Sequence, residues 1–365
     1  MRKVATGLAV GSVEADPNLV VEAITKAMQI LNIEVASSVL LFLTSEFAND
    51  PLPALRLAAK TANCLQIMGC SAPGIFTEED WVLDAPAVAA MVFSGDISLQ
   101  MPEQPIDANQ LLLSLTAPNA MNISWMSGPG MRFGGVSGDA IGQGPFSVWQ
   151  NARGAPAGYC EAVINGVEAV VAAAHCAYLL SDPMPITAIS GHDLQLLGEE
   201  QAFKTLQSAY ADSDAIPLHL MMAVYADSAE AVEQGNYHLL TLVSGNEDDG
   251  SVTLSKKLHQ GQYLAWAIRD VDAAQVNLQR TASRICRQLK ERPDFGLLFS
   301  CLGRGPYFYG GLDRDLMIIK AQYPKMPIIG FYGNGEIAPI NGVNELLQYS
   351  AVLGLFAEKK QDGTV

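Results

Sequence analysis

The sequence predicts an α/β (mixed α+β) protein built from two related β-α-β-α-β-β halves with mixed sheets, flanking a β-rich middle region. Three observations lead there. The first ninety-odd residues alternate short apolar runs with segments of helical periodicity. The last hundred repeat that order of elements, and between the halves short runs of β-forming residues are divided by turn signals.

Val4–Val10 reads as the first strand. Asp16-Pro17 opens a helix, with an acid to cap it and proline at its first position. Val20, Ile24, Ala27 and Leu31 then share one helical face. A buried strand over 39–43, a helix over 51–62, a strand over 65–69 ending in a glycine-rich loop, and a strand over 88–93 complete the half. The second half is expected to start with a strand at Tyr263–Arg269, followed by a helix capped by Asp272. Leu278, Ala282, Ile285 and Leu289 form that helix's inner face, at the same spacing as in the first helix. A strand through Leu297-Leu-Phe299 follows, then a helix near 312–321, a strand at 327–329, a second glycine-rich loop from Gly330 and a strand at 351–356. Leu40-Leu-Phe42 matches Leu297-Leu-Phe299 and Gly69 matches Gly330 at similar offsets, as a duplicated unit would.

In the middle region, 146–150 and 159–164 flank Asn151-Ala-Arg-Gly154 as a predicted hairpin. Strands at Val167–Ala174, 186–189 and 218–224, a helix at 199–210 and an exposed hairpin tip at 245–250 continue the pattern. The expected domains are 1–215 and 216–358, with a flexible tail at 359–365.

Composition narrows the function. At 365 residues the chain exceeds a single small core, and 49% hydrophobic residues describe a packed globular protein. A formal charge of −16 argues against a nucleic-acid partner and against an anionic membrane surface. The chain has no apolar run of membrane-spanning length and no signal-peptide pattern, so a cytoplasmic protein without membrane insertion is expected. The 6 cysteines lack any Cys-x-x-Cys and the 5 histidines are dispersed, which predicts reduced thiols, no metal site and no cofactor.

Three glycine clusters carry the chemical interest. Gly69-Cys-Ser-Ala-Pro-Gly74 places Cys70 and Ser71 just past a predicted strand end, where α/β proteins present ligand groups. Cys70 reads either as a nucleophile or as a buried packing thiol. Phe133-Gly-Gly-Val-Ser-Gly-Asp139 lacks the Gly-Lys-Ser/Thr of a phosphate loop, and its Asp139 either accepts from a ligand amine or closes an Asx-turn. Pro327-Ile-Ile-Gly-Phe-Tyr-Gly-Asn-Gly-Glu-Ile337 carries Glu336, which can bind an amino group, act as a base or cap a turn. Arg304, between glycines in Ser300-Cys-Leu-Gly-Arg-Gly-Pro306, suits a carboxylate, either a ligand's or an internal acid such as Glu336. The candidate ligand-binding set is therefore Cys70, Ser71, Gly74, Gly135, Asp139, Cys301, Arg304, Phe331, Tyr332, Asn334 and Glu336, with no catalytic residue assigned.

The first two clusters resemble the N-terminal part of FIST-domain proteins. Leu297-Leu-Phe-Ser-Cys-Leu-Gly-Arg304 with the Gly330–Glu336 cluster resembles their C-terminal part, and the likeness runs from the first strand to Phe356. It implies a FIST N-like domain at 1–215 and a FIST C-like domain at 216–358. It also implies a role in signal transduction as a sensor of small ligands, amino acids being the class the family suggests, with a signalling protein as partner. Where the family's first loop commonly has an acid after its last glycine, Ile75 stands here. Two other readings come from other classes: a cysteine-dependent enzyme acting on a small metabolite, through Cys70 or Cys301 with Glu336 as base, and a non-catalytic scaffold for protein interaction.

Overall fold

The computed structural model describes residues 2–139, 141–210, 216–233, 237–289 and 291–359. The chain is a mixed α/β protein, as its sequence predicts. It packs as two units, one made of 1–174 with 278 onward and the other of 175–277.

In the first unit two sheets share one plan. One runs in the order Val4–Val10, Ala87–Phe93, Ser38–Thr44, Ile67–Ala72, Val148–Gln150, and the other Val167–Ala174, Ala351–Glu358, Phe295–Cys301, Ile328–Gly333, Gly74–Thr77. In each, the first three strands pair antiparallel, the third and fourth parallel, and the fourth and fifth antiparallel. The strand Tyr263–Arg269 does not open the second of these sheets. Val167–Ala174 takes that place, and Tyr263–Arg269 pairs with Met221–Ala226 in the other unit. Both segments are apolar runs of strand length, so periodicity alone does not rank them.

The two sheets bury both faces. Leu40 and Phe42 point into a core shared with Phe295, Leu297, Phe299 and Phe331, and the Phe42 and Phe331 rings meet edge-on at 4.9 Å. Val39, Leu41 and Leu43 point the other way, under the helices Asn18–Leu31 and Leu52–Ala62. Leu298 and Ile328 likewise face Leu278, Ala282 and Ile285. Strands covered on both faces read as continuous apolar runs, and each fully buried Leu or Phe contributes roughly 1.5–3 kcal/mol. Asp16 caps the first helix by accepting from the Asn18 N–H at 2.9 Å. On the later helix, Val271–Leu289, Asp270 rather than Asp272 is the cap, accepting from the Ala273 N–H at 2.7 Å.

The predicted hairpin is tighter than expected. Asn151 and Ala152 both have positive φ (53 and 56), so the chain reverses within two residues and Arg153–Gly154 pairs back on Trp149 and Gln150. Tyr159–Asn165 is thereby released to a third sheet of this unit, where it pairs with Leu111–Thr116 and Ser98–Gln100.

The second unit has its own antiparallel sheet and a core around Leu194, Leu206, Val252 and Trp266. The buried Trp266 indole N–H donates to Thr205 Oγ1 at 2.9 Å. Among the described residues no helix is long and apolar enough to cross a membrane.

Candidate functional site

The glycine clusters at 69 and 330 lie inside strands rather than in loops. The strands run on to Ala72 and Gly333, so Cys70, Ser71, Phe331 and Tyr332 are strand residues. The two glycines answer to crowding. A β-carbon at Gly69 would sit 1.7 Å from the Leu41 carbonyl oxygen, and one at Gly330 1.8 Å from that of Leu298. In each sheet an aromatic ring from the fifth strand closes over the gap, Trp149 against Gly69 and Phe76 against Gly330. A close backbone approach and a ligand loop both demand glycine, which is why the sequence alone suggested the loop.

Beyond these glycines, at the C-terminal ends of Phe295–Cys301 and Ile328–Gly333, a buried polar cluster forms on the helix-facing side. Arg304, in the short turn Leu302–Arg304, is fully buried. Its Nε and Nη2 donate to the two carboxylate oxygens of Asp315 at 2.7 and 3.1 Å, and Nη1 donates to the Ala174 carbonyl at 3.1 Å. Tyr309 also donates to Asp315, at 2.6 Å. Asp313 caps the helix Arg314–Gln322 through the Leu316 N–H at 2.9 Å and accepts from the Tyr332 hydroxyl. Burial first, and the neighbouring Asp315 charge second, push the Asp313 carboxyl up to about 6. The Tyr332 hydroxyl is raised well above its usual range, by burial first and then by Asp313.

Glu336 completes the cluster. It is fully buried, and its Oε2 accepts from the Ser350 hydroxyl at 2.7 Å while Oε1 has no hydrogen-bond partner. Burial holds its carboxyl well above the usual range, although the Ser350 hydrogen bonds and the Arg304 charge pull it down. The backbone holds this corner together, Cys301 N–H donating to the Ser350 carbonyl at 3.0 Å. Ser300, on the same face of its strand as Leu298, has a buried hydroxyl that is also unpartnered. Buried polar groups are almost always satisfied, so the Glu336 Oε1 and the Ser300 hydroxyl, on strands of two different sheets, are exceptions that single this region out.

Only some of the other candidates touch residues of this cluster. Gly74 pairs with Tyr332 and leaves room for its ring, and Gly135 pairs with Glu336 where a β-carbon would press on Phe331. Asn334 donates its backbone N–H to Val136 at 3.0 Å and lies against Gly138. Ser71 belongs to a separate serine group. Its hydroxyl accepts from the Ser147 N–H at 3.0 Å and lies 3.2 Å from the Ser137 hydroxyl. Asp139 accepts from the backbone N–H groups of Gly142 and, at 2.8 Å, Gly144, so it closes its own loop. Cys70 is fully buried, and burial pushes its thiol well up, the opposite of what a nucleophile needs. Cys301 is buried too.

Sequence reading missed Ser300, Tyr309, Asp313, Asp315 and Ser350. The legible trace was Asp313-Arg-Asp315 at a helix start, where acids ordinarily serve only the cap and the dipole.

Residues 200–339 match the model of the FIST C domain, a family whose members are generally sensory domains in signal transduction. That segment includes Ser300, Arg304, Asp313, Asp315, Tyr332 and Glu336. The chain is similar to an uncharacterized protein of Mycobacterium tuberculosis, 23% identical over 347 residues that cover 85% of this chain and 88% of that protein. An uncharacterized protein of Mycobacterium bovis is 29% identical over 181 residues, 49% of this chain and 46% of the relative. Human F-box only protein 22 is 30% identical over 95 residues, 24% of this chain and 22% of the relative.

Proposed function

We propose, from the premise that the chain carries a FIST C domain, that it is a cytoplasmic sensor binding a small amino-bearing ligand, such as an amino acid, beside Glu336. The unpartnered Oε1 of a fully buried carboxyl carries this reading. A ligand ammonium group would give that oxygen its missing hydrogen bond and supply the charge that makes ionisation of Glu336 favourable in a dry site. The Ser300 hydroxyl offers the ligand a second contact. Arg304 acts one step removed. Both of its side-on donors are held by Asp315, so it braces the site and lends positive potential without gripping a ligand carboxylate directly.

The FIST N-like part is taken as 1–215 and the FIST C-like part as 216–358, with a signalling protein as the downstream partner. The shared strand order of the two sheets supports an internal duplication, with Val167–Ala174 as the first strand of the second copy.

A thermal-shift panel of the common amino acids and their des-amino analogues tests the assignment. At least one amino acid should raise the melting temperature, its des-amino analogue should not, and Glu336→Gln should abolish the shift while leaving the unliganded protein folded. A panel without a single shift, or a shift that survives Glu336→Gln, overturns it.

A further inference from the structure

A groove of about 870 Å³ opens elsewhere on the first unit, and neither Glu336 nor its neighbours line it. Its walls are the helix Leu52–Ala62, the tight turn at 151–152 and the strand beginning at Tyr159, with Met101 and Pro102 along one edge. That volume lies within the range of roughly 300–1,000 Å³ in which small-molecule sites fall. Most of the wall is apolar, from Ala59, Leu65, Met101, Ala155 and Pro156. Leu65 and Met101 stay largely exposed there, at 69% and 60%.

The groove also carries charge. Three of its lining residues are charged at neutral pH: Arg56, Arg153 and Glu161. Glu161 is already compensated, because Arg132 Nε donates to it at 2.8 Å and the Ser114 hydroxyl at 3.1 Å. Arg56 and Arg153 are exposed, and among the described residues no carboxylate pairs with either. A chain of net charge −16 therefore keeps two unneutralised guanidinium groups on one apolar cleft. The turn that presents Arg153 is conformationally fixed, with Asn151 and Ala152 both at positive φ. Guanidinium forks favour planar or tetrahedral oxyanions, and the apolar wall favours a hydrocarbon body next to them.

We infer that this groove binds a small amphipathic anion, with its carboxylate or phosphate head between Arg56 and Arg153 and its apolar body along Leu65, Met101 and Pro156. The site is independent of the Glu336 assignment and stands or falls alone. Octanoate and octyl phosphate are the probes, 1-octanol and octylamine the uncharged and cationic comparators, all titrated into the full-length protein by calorimetry. Either anion should bind with a dissociation constant of about 1 mM or below, and both comparators should bind at least tenfold more weakly. The relative affinity of the two anions distinguishes a carboxylate from a phosphate site. The double variant Arg56→Gln/Arg153→Gln, altering only exposed side chains, should keep the wild-type melting temperature and lose about tenfold in affinity. Added salt should weaken binding as well, because both arginines face solvent. Hydrogen exchange should slow across 150–161 when the probe binds. The inference is overturned if neither anion binds at about 10 mM, if octylamine binds as well as octanoate, or if the double variant binds like wild type.

Discussion

Asp315→Asn is the sharpest test of how the buried cluster is held. Asp315 is 1% exposed and accepts three hydrogen bonds, two from Arg304 and one from Tyr309. The amide keeps one acceptor oxygen and turns an NH₂ toward groups that are themselves donors. Removing one charge of a buried pair costs about 3–5 kcal/mol, because the guanidinium is left desolvated and uncompensated. A donor orphaned in the same spot adds roughly 1 kcal/mol or more. A total of about 4–6 kcal/mol is a large part of the roughly 5–15 kcal/mol that keeps proteins folded. The pair itself is a different matter. Arg304→Met with Asp315→Leu replaces both charges by apolar groups and should recover part of the loss, leaving a deficit of about 2 kcal/mol for the unpaired Ala174 carbonyl and Tyr309 hydroxyl. Urea denaturation followed by circular dichroism, on wild type, both single variants and the double, gives the coupling energy directly. A cost below about 1 kcal/mol for Asp315→Asn, or a double variant no more stable than either single one, would refute the account of a dry, charge-balanced cluster.

Two further outcomes follow from the same geometry. Asp313 has a carboxyl raised from 3.8 to about 6, so the folded state holds its proton more tightly than the unfolded chain does. Its contribution is therefore fully present below pH 3.8 and is lost as pH rises to about 6, a change on the order of 3 kcal/mol. Asp313→Asn keeps a good helix cap but removes the titration, so the stability difference between variant and wild type should change across that window and be flat above it, as chemical denaturation at a series of pH values would measure. Gly330→Ala would drive a β-carbon to 1.8 Å from the Leu298 carbonyl oxygen and 2.4 Å from the Phe76 ring. It should unfold the sheet or leave the protein insoluble, and a soluble variant with the wild-type melting temperature would show that the glycine is not there for space.

The elements of the fold were legible because burial on two faces writes itself into composition. Residues 39–43 and 297–299 are unbroken apolar runs within their strands, and the helix faces through Val20 and Leu278 keep their period. Strand partnership was less legible, since an apolar run does not say which sheet it joins. Gly74–Thr77 pairs with a strand some 250 positions on, and Val167–Ala174 could not be told from Tyr263–Arg269. The buried polar cluster was legible in Arg304, Tyr332 and Glu336 and illegible in their partners, because Ser300, Asp315 and Ser350 are ordinary residues made special only by what surrounds them. Glycine was the most misleading signal. The same missing β-carbon serves a ligand loop and a crowded strand, and only the backbone tells them apart: neither Gly69 nor Gly330 has a positive φ, whereas Gly335 does, at 154. Crowding at Gly69 and Gly330 still bears on the site. It draws neighbouring parallel strands together at equivalent positions of the two sheets, and in the second sheet Tyr332 and Ser300 lie just beyond that contact. The glycine read from sequence as part of a loop acts from inside the sheet, where it lets Phe295–Cys301 and Ile328–Gly333 approach closely just before the paired residues Ser300 and Tyr332.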